Sequence, residues 1–192
     1  SDVEVTAGWL APMVKMMEND QQIAACQPKI KDYNKKDHFE YAGAAGGFID
    51  KFGFPYCQGR IFDTLEKDEG QYNKPTEIFW GSGASLMVKS SLYHSEGGLD
   101  EELFAHMEEI DLCWRLKNQG YKVMYCPEAV VYHVGGGTLN KINSKKTFLN
   151  YRNNLLLLHK NLPKKGRTWL IFRRMTLDGL SGIKLLMEGR FS

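Results

Sequence analysis

Glu108-Glu109-Ile110-Asp111-Leu112-Cys113-Trp114-Arg115-Leu116-Lys117-Asn118-Gln119-Gly120 is the stretch from which the rest of the chain is best read. Ile110, Cys113, Trp114 and Lys117 keep the three-to-four spacing of one helical face, and Gly120 stands where helices commonly end in a left-handed residue. A helix is therefore expected over 109–118. Two β-rich runs follow it, Tyr121–Tyr125 and Ala129–His133, arranged around Pro127.

Working outward, Ile78–Lys89 reads as a strand broken by Gly81-Ser82-Gly83, and Ile23–Cys26 as a short buried strand ending before Pro28. Residues 8–19 place Trp9, Leu10, Met13, Val14 and Met17 on one helical face, with Thr6 as the expected N-cap. Lys31–Pro75 is dense in glycine, aromatic and charged residues without a lasting period. It reads as a long ordered loop excursion, and loops of that length in a compact domain are usually functional or disordered. From Thr147 the pattern is helical again, with interruptions at Pro163 and Gly166, and no internal repeat is visible. Strands alternating with helices give an α/β fold.

The chain has 192 residues, 43% hydrophobic and 25% charged, which excludes disordered and fibrous classes. Its longest aliphatic run, Leu155–Leu158, is far short of the roughly 20 residues that span a bilayer. Ser1-Asp2-Val3-Glu4, without an initiator Met, reads as a cut end. The net charge of +2 conceals an asymmetry. Lys141–Ser192 holds 12 Lys and Arg against 2 acids, whereas the first 140 residues hold 13 against 21. An acidic body with a basic tail suggests one part that holds a cation and another that meets an anionic surface. Cys26, Cys57, Cys113 and Cys126 lack paired spacing, so they are expected to be reduced and mostly buried, as in a cytosolic chain, with a zinc site the weaker alternative.

Three places carry candidate chemistry. Asp2 and Glu4, one residue apart, can aim both carboxylates at one hard divalent cation, although two acids near a terminus also suit a plain solvated surface. Glu108, Glu109 and Asp111 open the best helix, where acids also complement the helix dipole; His106 precedes them, and Arg115 is an i,i+4 partner for Asp111. The run Glu96–Phe104, with its turn glycines, leads into them as a loop that could deliver acids to a cleft. His133 suits a strand core, but Gly135-Gly136-Gly137 close behind it imply a close approach of backbone or ligand. Ala42–Gly47 does not match a dinucleotide-binding fingerprint.

Taken in order, five segments resemble family 2 glycosyltransferases of GT-A fold: Asp2–Leu10, Gly81–Leu86, Gly97–Glu101, Glu108–Arg115 and Val131–His133. The similarity is greatest to the rhamnosyltransferase-like branch that builds bacterial surface polysaccharides, and it covers roughly Asp2–Asn154. It implies a GT-A-like, Rossmann-related mixed sheet with flanking helices, followed by a C-terminal helical tail. The resemblance gives Asp2, Glu4 and His133 as ligands of Mn²⁺ or Mg²⁺ on a nucleotide-sugar diphosphate. It gives Trp80, Gly81, Ser82 and Gly83 as the wall where donor meets acceptor, with Glu108 and Arg115 beside the substrate. Glu109 takes the place of the catalytic base, with Asp111 as the alternative, because this chain has Glu-Glu where the family has Glu-Asp. Such enzymes begin with a βαβ nucleotide-binding half upstream of the acid-x-acid motif. The expectation is therefore that this chain is the acceptor-side part, inactive alone, divided into residues 1–143 and a basic amphipathic tail over 144–192.

The implied reaction is metal-dependent, inverting transfer of a sugar from a nucleotide-sugar donor to a glycan or polyprenol-linked acceptor, in the cytoplasm at the inner face of the plasma membrane. The tail, where Lys164-Lys165-Gly166-Arg167 and Arg173-Arg174 alternate with aliphatic and aromatic clusters, suits an anionic membrane surface or packing against the body. No nucleic-acid motif accompanies the charge. The rival readings are a nucleotidyltransferase on a related fold and a non-catalytic glycan- or membrane-binding module.

Overall fold

A computed structural model describes residues 2–135 and 144–187. Gly136, Gly137 and the 143/144 division expected above lie at or outside the edge of those residues.

The centre is a mixed sheet built on two long neighbours, β2 (Ile23–Asp32) and β9 (Lys122–His133), which run parallel from Ile23 opposite Lys122 to Asp32 opposite His133. β2 is buried from Ile23 to Ile30, as expected of a strand covered on both faces. β8 (Met87–Val88) pairs antiparallel on its outer edge. Along the other edge of β9 lie β1 (Val3–Val5), with Val3 opposite His133, and β7 (Thr76–Ile78), with Ile78 opposite Val123. Ile78–Lys89 thus splits, as its glycines suggest, but its two halves join different strands. Lys31–Pro75 is ordered and contains two small hairpins, β3 (Gly47–Ile49) with β4 (Pro55–Cys57) and β5 (Arg60–Ile61) with β6 (Thr64–Leu65).

Two expectations change. β2 does not stop before Pro28, and the two runs around Pro127 form one strand. The reason is a shared irregularity: the register jumps from Pro28 opposite Cys126 to Lys29 opposite Val130, so residues 127–129 bulge out of β9. Proline is tolerated at a bulge, where the ladder needs no donor. Thr6 does not cap the first helix, α1 (Leu10–Asn19), because its hydroxyl donates to the Val130 carbonyl at 2.8 Å.

α1 lies on one side of the sheet, where Met13 and Met17 pack with Ile23, Cys26 and Cys126. After α2 (Ser90–Ser95) and a 3₁₀ turn at Glu101–Leu103, α3 (Glu108–Asn118) buries Ile110, Leu112, Cys113 and Leu116 in the main core with Ala25, Val123 and Tyr125. α4 (Ser144–Asn161) adds Leu157 and Leu158 to that same core. α5 (Lys164–Met187) breaks at Lys165 and Gly166, the latter at φ +81°, so its continuous part starts at Arg167. All four cysteines are buried and free.

Candidate active site

Two groups of polar side chains carry the candidate chemistry. The first stands at the His133 end of β9. His133 Nε2 is 3.2 Å from Asp2 Oδ2, and the Val134 amide donates to the Asp2 carbonyl, fixing the chain end against the strand. On its other side, His133 Nδ1 is 3.3 Å from Glu40 Oε1, an ion-pair contact outside hydrogen-bonding geometry. Two flanking carboxylates raise the His133 pKa, Glu40 contributing most, and that of Asp2 is lowered, chiefly by its backbone hydrogen bond. Glu40 is buried and accepts from the Ala42 amide at 2.5 Å. Gly135 is needed here, since a Cβ on it would come within 2.6 Å of Glu40 Oε1.

Glu4 does not join this group. It lies opposite Tyr132 rather than His133, and its Oε1 is taken by Lys36 Nζ at 2.6 Å, with Lys36 also over the Tyr132 ring. Among the described residues no three His, Cys, Asp or Glu side chains converge as metal ligands. Asp2 and His133 are suited as a pair, a carboxylate and an imidazole reaching one point. Magnesium-type sites often use one or two protein groups and complete their shell with phosphate oxygens and water. The orphaned Nδ1 of His133 and the crowding at Gly135 show a position already shaped around that ring.

The second group lies where α3 begins. Phe104, His106 and Met107 have φ of +61°, +69° and +77°, unfavourable for residues with side chains. Asn153 of α4, itself buried, holds them there: its Nδ2 reaches the carbonyls of Leu103, Ala105 and His106 at 2.8, 2.9 and 2.7 Å. Arg152 Nη2 adds the Glu102 carbonyl at 3.1 Å. The bent segment delivers Glu108 and Glu109 into the first turn of α3. Three buried atoms there have no partner among the described residues: His106 Nε2, Glu108 Oε2 and Glu109 Oε2. Burial, reinforced by Glu108, pushes the Glu109 carboxyl up to about 7. This corrects the expectation of an ordinary glutamate fully ionised at neutral pH.

Asp111, the alternative base, is not available. It is fully buried, with Arg115 Nε and Lys160 Nζ at 2.8 Å from Oδ2 and Asn161 Nδ2 at 2.8 Å from Oδ1. Arg115 is likewise committed: besides Asp111 it donates to the carbonyls of Glu96 and Gly98 at 2.5 and 2.7 Å, clamping the Gly97-Gly98 loop. The two form an anchor beneath the site.

Trp80 is buried, donates Nε1 to the Phe48 carbonyl at 2.9 Å, and lies so close over Gly47 that no Cβ fits there. Gly81 presses on Leu86 and Gln27, and the Ser82 amide donates to Gln27 Oε1 at 2.7 Å. Gly83 alone faces the carboxylate group: a Cβ on it would lie 3.9–4.0 Å from the Glu109 side chain. The two groups are linked through the fold. Glu40 binds the Ala42 amide, Gln27 bridges the Gly43 carbonyl and the Ser82 amide, and Gly83 meets Glu109. Glu40, Gln27 and Asn153 are the residues that reading by sequence missed, because nothing local distinguishes them. A cavity of about 330 Å³ by α1, lined by Met16, Asp20, Cys126 and Glu128 among others, includes no candidate residue.

No family model matches the chain. Over 79 residues, 41% of the chain, it is 40% identical to an N-acetylglucosaminyl-diphospho-decaprenol L-rhamnosyltransferase of Mycobacterium tuberculosis, covering 26% of that protein. It is 32% identical to a pre-mycofactocin glycosyltransferase of the same organism over 42% of the chain and 18% of the relative. With the dTDP-rhamnosyl transferase RfbF of Shigella flexneri it shares 26% identity over 69% of the chain and 48% of the relative. The chain therefore spans between a fifth and a half of the length of these relatives. Among solved structures, GalNAc-T7 with UDP, GalNAc and Mn²⁺ superposes with a TM-score of 0.53 at 16% identity, over 82% of this chain and 30% of that one. The chain thus has a GT-A-like fold and is similar in sequence to rhamnosyltransferases and other glycosyltransferases.

Proposed function

We propose that this chain is the acceptor-side part of an inverting, metal-dependent glycosyltransferase that moves a sugar from a nucleotide-sugar donor to a hydroxyl of a glycan or polyprenol-linked acceptor during synthesis of a bacterial surface polysaccharide. The observation that carries the reading is Glu109: a half-buried carboxylate at a helix start, with one oxygen unpartnered and its pKa raised to about 7. A general base works best when its pKa lies near the working pH. The acceptor hydroxyl hydrogen-bonds to Glu109 Oε2 and attacks the anomeric carbon. Its proton passes to Glu109 as the bond to the nucleoside diphosphate breaks, and one displacement inverts the anomeric centre. Glu108 Oε2 and His106 Nε2 receive neighbouring hydroxyls, and the Gly81–Gly83 turn, held by Gln27, forms the opposite wall.

Asp2 and His133 would hold Mn²⁺ or Mg²⁺; when bound, the ion offsets the charge on the departing diphosphate. Two of the three relatives are named for rhamnosyl transfer, and one for a decaprenol-linked substrate. A dTDP-rhamnosyl donor, a lipid-linked acceptor and a place at the inner face of the membrane are therefore the first to test. In this reading the catalytic part covers 1–143, and the basic tail, 144–192, folds back on it through α4.

The test is Glu109→Gln in the longer enzyme. A loss of ~10²–10⁴-fold in kcat is expected, with donor KM little changed. Turnover within a few-fold of wild type would remove Glu109 from the mechanism and the reading with it.

A further inference from the structure

α5 turns one face to the body and the other outward. On the inward face Ile171 packs against the main core. Arg174 is buried over the Phe54 ring, donates to Asn154 Oδ1 and the Gly53 carbonyl, and pairs with Asp178 at 2.9 Å. Those contacts fix the rotation of the helix about its axis. The outward face carries Trp169, Phe172, Leu180, Ile183 and Met187 at three-to-four spacing, interrupted only at Thr176 and flanked by Met175 and Leu186. Trp169, Phe172 and Leu180 are 62%, 60% and 61% exposed. A continuous apolar stripe of this size is not ordinary surface.

The charges around it choose the partner. Arg173 and Lys184, three turns apart, lie along one edge of the stripe, and Lys164, Lys165 and Arg167 stand at its N-terminal end. Among the described residues of α5 the one acid is Asp178, already paired inward with Arg174. Trp169 and Phe172 stack at 5.8 Å, with the Arg173 guanidinium 5.7 Å from the indole, at the end of the stripe nearest the lysines. Aromatic rings and cations at the margin of an apolar stripe match the chemistry of an anionic headgroup layer over acyl chains. From Arg167 to Met187 the helix runs about 30 Å, but no helix here is long and apolar enough to cross a membrane.

We propose that α5 lies in the plane of an anionic bilayer, with Trp169, Phe172, Leu180 and Ile183 entering the acyl boundary and Arg173, Lys184 and the Lys164–Arg167 cluster on the headgroups. This gives the membrane partner named above a docking element. It does not rest on the transfer chemistry, so Glu109→Gln should lose turnover and keep this binding.

The experiment is co-sedimentation of the 192-residue chain with vesicles of phosphatidylcholine and phosphatidylglycerol, and with vesicles of phosphatidylcholine alone. Binding to the anionic vesicles that weakens with salt is expected, with little to the neutral ones. Phe172→Glu with Ile183→Glu should reduce it by at least tenfold, and Arg173→Gln or Lys184→Gln roughly fivefold each. Circular dichroism and thermal melts of the same variants show that they are folded, since every replaced side chain is exposed. Absence of binding to anionic vesicles, or binding unchanged in the double variant, overturns the proposal. So does a wild-type dimer in sedimentation velocity that the double variant dissociates without any vesicle binding, because the stripe would then belong to a second copy.

Discussion

Glu109 and Asp111 stand two residues apart at the start of one helix, and their surroundings give them opposite tasks. Asp111 faces three donors and is an anchor; Glu109 faces none at Oε2. A raised carboxyl pKa carries a stability cost of known sign. Unfolded, Glu109 loses its proton near 4.5, whereas in the folded chain it does so at about 7. Between those values the folded state binds the extra proton, so stability falls as pH rises through the window and stays low above it. Glu109→Gln should therefore raise the melting temperature at neutral and alkaline pH, by about 1–3 kcal/mol of stability. The two proteins should converge below about pH 4.5, and melts across a pH series check this. Asp111→Ala should act in the other sense, costing ~3–5 kcal/mol by leaving Arg115 and Lys160 beside an empty partner. The acids themselves were legible in the sequence, and so was the Arg115 partnership at i,i+4. Which acid is spent on structure was not, since Lys160 and Asn161 arrive from about fifty residues downstream.

At the level of elements, periodicity located α3 and the strand positions, and failed where two elements answer each other. A proline in β2 argues against continuing the strand until β9 is seen to bulge opposite it, and only the pairing shows that both irregularities are one. The same holds for the segment before α3. Its glycines suggested a loop that delivers acids to a cleft, but the positive φ values at Phe104, His106 and Met107 fall on residues whose identity gives no hint of them. Asn153 supplies the compensation from α4. Asn153→Ala would strand three carbonyls and release the bend, at a cost of about 2–4 kcal/mol. Because the bend aims Glu108 and Glu109, acceptor turnover in the longer enzyme should fall well beyond what partial unfolding explains. Measuring kcat on the fraction shown folded by circular dichroism separates the two. Asn153→Asp, which offers no amide donor, should behave like alanine.

Across the whole molecule, charge asymmetry marked off a basic C-terminal region correctly as composition, but composition does not say how that region is held. α4 and α5 are attached by different physics. α4 contributes Leu149, Leu157 and Leu158 to the interior and lends Asn153, Asn154, Lys160 and Asn161 to buried polar contacts, so it is part of the domain. α5 is held mainly through Ile171 and Arg174, while most of its large apolar residues face outward. Burial of an apolar side chain stabilises by about 1.5–3 kcal/mol, and the two helices differ by several such side chains. Ending the chain at Pro163 should therefore leave a folded protein with one cooperative melt, lowered by a few degrees through loss of the Arg174 contacts with Gly53 and Asn154. Ending it at residue 143 should abolish the cooperative transition, because Leu157 and Leu158 leave a hole in the main core and Asp111 loses two of its three donors. A Pro163 truncation that fails to fold, with the 143 truncation equally unfolded, would show that α5 is as integral as α4 and that its outward face is sustained by the body.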